Sequence, residues 1–528
     1  MLPAVDADCF SIFHVLIEGM LRPRCLAALL LALLLSGCAR RPDPGALVMI
    51  IESSPTNLDP RAGIDAQSER IDMLIFDALF RRDEHFNLQP MLAESYEIPN
   101  RLTYIFHLRT GVHFHDGRLL TARDVKYTID SMLNHVLPSP KTATYKHVDH
   151  IDAPDDATVI FHLKEPDATL MWNLSEGGIG IVPYGSGADF NRHPVGSGPF
   201  RFVRQEQDKE VVLERNPDYW DAGLRPRIAR VRFAVVPDAT TRALELRKGS
   251  ADIAPNGSLS ADMVQPMRHD PNLQVEIASG SVYNYLAFNL RDPILKDVRV
   301  RQAIAYAINR EPIIHYLWRD EAEPASSILP PQSWAYDGNV RQYNYDPQRA
   351  RELLDQAGHL PGANGIRFHI TMKTSAEETT RLLAAVLQQQ LRDVGIALDI
   401  RSLEFATFFT DVTKGAFQIF SLRWIGGNQD PDIFDYVFHS SSIPPQRANR
   451  GYYSNPRVDA LLNQAREEVD PKKRKPLYDE VQKILAEDLP YVNLWYLDNV
   501  VVHTRRVKNL ILMPSGDYGF LKTAELVN

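Results

Sequence analysis

The sequence predicts a mixed α/β fold of several packed layers, on three observations. Apolar runs of strand length alternate along the chain with segments that carry helix start and stop signals. Of the 528 residues, 44% are hydrophobic and 24% charged, which supplies apolar material for several cores and excludes disorder. No stretch of about 18 apolar residues occurs that could span a bilayer. At roughly 100–200 residues per domain, the length holds two to four domains or one multi-lobed unit. With 58 basic against 67 acidic residues the net charge is −9, so no nucleic-acid partner is expected.

The three cysteines, Cys9, Cys25 and Cys38, all lie in the first 38 residues, so the body of the chain has no internal disulfide, cysteine-ligated zinc or cysteine nucleophile. Leu26 to Leu35 is an unbroken run of Leu and Ala preceded by Arg22 and Arg24. Such a run makes about 15 Å of helix, half a bilayer core, and reads as the core of a signal peptide rather than an anchor. Its ending, Leu35-Ser36-Gly37-Cys38, resembles the bacterial lipobox, which implies cleavage before Cys38 and a diacylglycerol on its sulfur. Residues 1–19 carry Asp6, Asp8 and Glu18 with no Lys or Arg, whereas Met20-Leu21-Arg22-Pro23-Arg24 suits the positively charged start of a leader; the expected translation start is Met20. Residues 1–37 are then the signal peptide and 38–46 a lipidated tether. The mature chain, at charge −8, is expected outside the cytoplasmic membrane, periplasmic or at the cell surface, and no GxxxxGK[ST] or GxGxxG phosphate cradle appears in it.

The body opens with a strand, Leu47-Val48-Met49-Ile50-Ile51, stopped by Glu52-Ser53-Ser54-Pro55 and a turn at Asp59-Pro60. Alternation of Tyr104, Phe106 and Leu108 predicts a strand over 102–108, with a turn at Asp116-Gly117. Thr121 to Asp124 opens a helix over 125–132, with Thr121 placed to accept an amide hydrogen bond. Val298 to His315 reads as one helix. Asp346-Pro347 opens another over 348–357 that Gly358 stops. Glu377 to Val394 is a further helix, with Leu382, Leu383, Val386, Leu387 and Leu391 on one face and Gly395 at its end. There is no fixed-period repeat.

Several segments in chain order resemble one family, the extracellular solute-binding proteins of family 5, the peptide and nickel receptors of bacterial ABC importers. The resemblance runs through Leu58-Asp59-Pro60, Pro90 to Tyr96, Phe106 to Arg109, Phe114 to Gly117, Val195-Gly196-Ser197-Gly198-Pro199-Phe200, Arg215 to Trp220, Asp297 to Ile304, Asp430-Pro431-Asp432 and Tyr453-Ser454-Asn455-Pro456. It implies a two-lobed periplasmic-binding-protein (venus-flytrap) α/β fold with an extra inserted α/β domain. By analogy the first lobe is discontinuous, 47–76, 195–282 and 500–528. The insert is 77–194 and the second lobe 283–499, with Gly196, Gly198 and Ala278 to Ser281 as crossing points.

In relatives that bind peptides, a second-lobe loop carries tryptophan, two residues, then the aspartate that receives the peptide's α-ammonium. Here the loop is Trp424-Ile425-Gly426-Gly427-Asn428-Gln429-Asp430-Pro431, and Gly427 stands at the aspartate position. A buried ammonium without a partner costs about 3–5 kcal/mol, or about two to three and a half powers of ten in affinity. Asp430 either receives that amine, if Gly426 and Gly427 let the loop refold, or caps the helix that follows. Lys373 is the candidate for the peptide carboxylate, against a solvated surface lysine. Trp424 either stacks on the ligand or is structural. Ser53, Ser54 and Pro55 from the first lobe, and Tyr283, Asn284 and Tyr285 where the chain crosses, are expected in the pocket. Asn449 and Arg450 lie near the cleft or in a surface turn.

His113 with His115 on one strand face, and His147 with His150 on one helix face, each lack a third ligand, so no metal site and no cofactor is expected. Gly196-Ser197-Gly198 is not a nucleophile elbow, which requires a residue between glycine and serine. No enzyme is expected. The expected protein is a monomeric, lipid-anchored receptor that delivers a small solute, with short peptides first, to an ABC permease complex by hinge closure. An oligosaccharide or metal-chelate receptor of the same fold, and a periplasmic chaperone for extended polypeptide, are the alternatives.

Overall fold

The computed structural model describes residues 46–426 and 429–527; the expected leader, the lipidation position Cys38 and Gly427 lie outside them. The strand expected at 47–51 is Ala46–Ile51, buried along its whole length. Leu47, Met49 and Ile51 enter one apolar cluster while Val48 and Ile50 enter another on the opposite face, which is why the run is apolar without alternation.

That strand belongs to an eleven-stranded sheet. Its order is Ile396–Leu403, Phe368–Ser375, Ile419–Trp424, Leu273–Phe288, Tyr491–Thr504, Ile253–Ala254, Ala46–Ile51, Arg230–Val235, Glu210–Arg215 and Phe200–Glu206, with Ala322–Pro324 also paired to Tyr491–Thr504. Two long antiparallel strands, Leu273–Phe288 and Tyr491–Thr504, run through both halves. Leu273 to Ala278 pair with Thr504 to Asn499, Val282 to Ala287 pair with Leu497 to Tyr491, and the register shifts between Ala278 and Val282. Gly280 sits in that break, where a Cβ would collide with the carbonyl oxygen of Leu497. Gly196 is equally constrained, its would-be Cβ meeting the carbonyl of Ile75.

A second, four-stranded antiparallel sheet stands apart, in the order Ala93–Asn100, Thr103–Leu108, Thr158–Leu163 and Val148–Asp155. Tyr104, Phe106 and Leu108 point inward as their alternation predicts, onto Val125, Ile129 and Met132 of the helix Ala122–Leu133. At that helix start the Asp124 carboxylate accepts from both the amide and the hydroxyl of Thr121, at 2.8 and 2.9 Å, so the Thr121 side chain donates there.

Other helix signals are met locally. Asp346 accepts from the amide of Arg349 at 2.9 Å and caps Pro347–Gln356, and Gly358 follows with φ +85°. Glu378–Arg392 buries Leu383, Leu387 and Leu391 of the expected face, while Leu382 and Val386 are exposed beside that stripe. The single helix expected over 298–315 is two, Val298–Ala307 and Arg310–Leu317, with Ile308 extended between them. Pro312 is the physical cause: its ring would strike the carbonyl of Ile308 in a continuous helix, and it is accommodated in the first turn of a new one. His147 and His150 do not share a helix face, because His150 lies in the strand Val148–Asp155.

Candidate ligand-binding cleft

The loop that follows Ile419–Trp424 meets the other half of the molecule. Trp424 is paired in register with Tyr283. Its indole N–H is buried without an acceptor among the described residues, the Arg450 guanidinium lies 5.4 Å over its ring, and Tyr436 meets it edge-on at 6.1 Å. Gly426 is exposed at φ +76°, a left-handed conformation suited to glycine. Gln429 is buried and bridges the junction: its Nε2 donates to Ser281 Oγ at 3.3 Å, and its Oε1 accepts from Arg82 Nη1 at 3.2 Å. Asp430 accepts from the amide of Asp432 at 2.8 Å, just before the helix Ile433–Phe438. Burial pushes its pKa up to about 6, with neighbouring Asp432 adding to the rise and Arg474 and Arg82 opposing it.

Across the junction, Arg82 donates from Nε to Ser175 Oγ at 2.9 Å and stacks 3.8 Å over the Trp172 ring. Desolvation lowers its pKa to about 10 against the pull of Asp430, Glu176, Asp517 and Glu69. Glu176 is itself paired with Lys522 at 2.7 Å. Beside this group lies a small recess that Glu69, Asp72, Met73, Lys141 and Gly177 help to line. Glu69 and Asp72 come from the helix Ala66–Ile75, which Asp65 caps. Lys141 Nζ donates to the carbonyls of Pro60 and Gly178 at 3.0 and 3.1 Å. Asp72 is 6% exposed, and neither carboxylate oxygen has a hydrogen-bond partner among the described residues. Burial raises its pKa well above the usual range despite Lys141 nearby.

The residues expected in the pocket are dispersed. Tyr283 and Tyr285 are fully buried in an apolar cluster of the second half, stacked on one another at 5.6 Å, with Tyr285 stacked on Tyr491 at 4.4 Å. They form core rather than a pocket wall, because the odd face of their strand packs inward. Asn284 points to the opposite face and its buried Nδ2 has no partner among the described residues. Lys373 lies within Phe368–Ser375, not in a loop, and is held by Asp411 at 2.7 Å. Asn449 donates to the carbonyls of His439 and Tyr453 and accepts from the amide of Tyr453, so its amide is spent on a turn. Ser53 is exposed, Ser54 Oγ accepts from the amide of Asp208 at 2.7 Å, and the Pro55 carbonyl accepts from Gln205. His115 Nε2 lies 3.0 Å from the carbonyl of Gly198, and His113 Nδ1 3.0 Å from that of Gly111. Of the expected residues, Asp430 lies beside Arg82 at the junction, while Trp424 packs against Arg450 and Tyr436. Arg82, Gln429, Glu69 and Asp72 were not expected there; a carboxylate at the buried spacing Ser68, Asp72, Ile75 is the one signal that pointed to any of them.

Comparison with known proteins places this geometry. The chain is 29% identical over 485 residues to the glutathione-binding protein GsiB of Pectobacterium atrosepticum, covering 90% of this chain and 93% of that one. The periplasmic binding protein DppA of Helicobacter pylori, associated with an ABC transporter and solved with the peptide STSA, superposes with a TM-score of 0.72 at 28% identity, covering 91% and 98%. NikZ of Campylobacter jejuni, solved with Ni(L-His), gives 0.76 at 26% identity over 91% and 99%. Residues 87–444 match the model for the middle region of bacterial extracellular solute-binding proteins, family 5. A sheet threaded by two long strands, a separate four-stranded sheet and a polar junction between halves are thus the features of a known architecture, and the chain belongs to family 5 of the bacterial extracellular solute-binding proteins.

Proposed function

We propose that this chain is the receptor of an ABC importer, that it captures short peptides between its lobes, and that it is held at the membrane through lipid on Cys38. It works as a monomer in or facing the periplasm and catalyses no bond change. The lobes are those bounded at 47–76, 195–282 and 500–528 against 283–499, with 77–194 inserted, and closure turns about the register break near Gly280. The names of GsiB and DppA support a peptide cargo.

The observation that carries the reading is the unpartnered Asp72 carboxylate. In the recess, Glu176 is matched by Lys522, and Glu69 feels Lys141, Arg82 and Arg70, whereas Asp72 feels Lys141 but has no donor on either oxygen among the described residues. An ammonium entering there supplies the donors that Asp72 lacks and takes over the role that the aspartate replaced by Gly427 has in relatives. On this reading the first-lobe contribution comes from Ala66–Ile75 in place of Ser53, Ser54 and Pro55, and the second lobe contributes from the segment that carries Trp424, Gly426 and Asp430.

Calorimetry on the mature protein tests this with di- and tripeptides carrying free or acetylated N-termini. Free amines should bind about a hundredfold tighter or better, and Asp72→Asn should erase most of that difference. Equal affinity for the two peptide forms in the wild type would sink the amine reading. A second reading, an amine-free metal chelate or sugar, is favoured by the buried Trp424 indole N–H beside Arg450, which has no acceptor among the described residues, and by the likeness to NikZ. Native mass spectrometry of co-purifying cargo separates the two. Peptides bound without any length limit would point to a chaperone.

A further inference from the structure

The four-stranded sheet carries a constellation that the cleft does not use. His150 and His162 are direct cross-strand partners, and Asp152, two residues on from His150, lies on the same face. The two imidazoles stack at 4.3 Å with 10° between their planes. Asp152 Oδ2 lies 3.8 Å from His150 Nε2 and 3.3 Å from His162 Nε2. One donor atom from each of the three residues falls within 4.8 Å of the others.

Donors that share a tetrahedral ion at about 2.0–2.1 Å stand about 3.4 Å apart, and the two carboxylate–imidazole distances bracket that value. His150 Nδ1 is 2.9 Å from Asp149 Oδ2. A proton held on Nδ1 by that carboxylate leaves the Nε2 lone pair facing Asp152, the carboxylate–histidine arrangement that orients metal-bound imidazoles. All three side chains reach solvent, at 54%, 57% and 32% exposure for His150, Asp152 and His162, so both rings are free to turn out of their stack about χ1 and χ2 to bring the two lone pairs onto one point, and an ion can enter directly.

We propose that His150, Asp152 and His162 form a surface site for a borderline divalent transition ion, Zn²⁺ or Cu²⁺, with water completing the coordination. Two imidazoles and one carboxylate select such ions over Mg²⁺ and Ca²⁺, which prefer oxygen ligands throughout. The site belongs to the edge of the separate sheet and shares no residue with the recess at Asp72.

Titration of the full mature chain with ZnCl₂, followed by calorimetry, tests the assignment. One ion per chain should bind, Mg²⁺ in large excess should not compete, and His162→Gln should weaken binding by at least about tenfold while Asp149→Asn weakens it less. Thermal unfolding of each variant without metal establishes that the sheet is intact. Cu²⁺ spectroscopy supplies a second readout, with couplings from two imidazole nitrogens expected in the wild type and from one in the variant. Zinc binding that is unchanged in both His150→Gln and His162→Gln, or a copper spectrum without paired imidazole couplings, overturns the site.

Discussion

Asp430 holds one backbone amide, that of Asp432, and faces Arg82 and Arg474 in surroundings that raise its pKa to about 6 from 3.8. The fold therefore favours the protonated carboxyl. Its contribution is complete below about pH 4 and is lost as pH rises through about 6, a change on the order of 2–3 kcal/mol. Asp430→Asn keeps an oxygen for the Asp432 amide and removes the titration. The melting temperature of the variant relative to wild type should rise between pH 4.5 and pH 7.5; a difference that stays flat over that window would refute the assignment. Asp72 obeys the same rule with a further consequence for binding. An ammonium must find it ionised, so amine-dependent affinity should weaken as pH falls.

At the scale of elements, what could be read from the sequence was whatever neighbouring residues decide among themselves. Asp346-Pro347 and Gly358 mark a helix through contacts within one turn, and Tyr104, Phe106 and Leu108 declare a strand through alternation alone. The break at Ile308 was missed although Pro312 is plain in the sequence, because the apolar spacing continues across it. The cleft was harder to read for a physical reason: Arg82 and Gln429 are 347 positions apart, and nothing local to either predicts the other. Tyr283 and Tyr285 misled because aromatic residues at a crossing serve a core as readily as a pocket. Gly280 is the element-level position whose substitution is most specific. Gly280→Ala presses a methyl onto the Leu497 carbonyl and should cost about 1–3 kcal/mol, seen as a lower melting temperature. An unchanged melting temperature would show that the partner strand can yield there.

Across the whole molecule, two separate groups of polar contacts join segments near the crossing strands. Arg82, Gln429 and Ser281 form one chain of hydrogen bonds. Elsewhere Arg268 pairs with Glu321 at 2.8 Å and Arg319 with Asp262 at 2.7 Å, tying 261–269 to 319–321. Removing the first chain should loosen the liganded form. Arg82→Ala is expected to raise the solute dissociation rate about tenfold and to lower the melting temperature of the empty protein as well, because the Ser175 bond and the Trp172 stacking go with it. Stopped-flow release reads this directly, and an unaltered rate would remove Arg82 from the closure mechanism. The four-stranded sheet is also fastened to the second half, through Arg101 and Glu467 at 3.2 Å and the Ala168 amide donating to the Arg466 carbonyl at 3.2 Å. The Arg101–Glu467 pair is exposed on both sides, so it adds little energy and fades as ionic strength rises. A fastening this weak behaves like a magnet on a cupboard door: it settles the resting position without deciding when the door moves, and leaves that timing to whatever occupies the space inside.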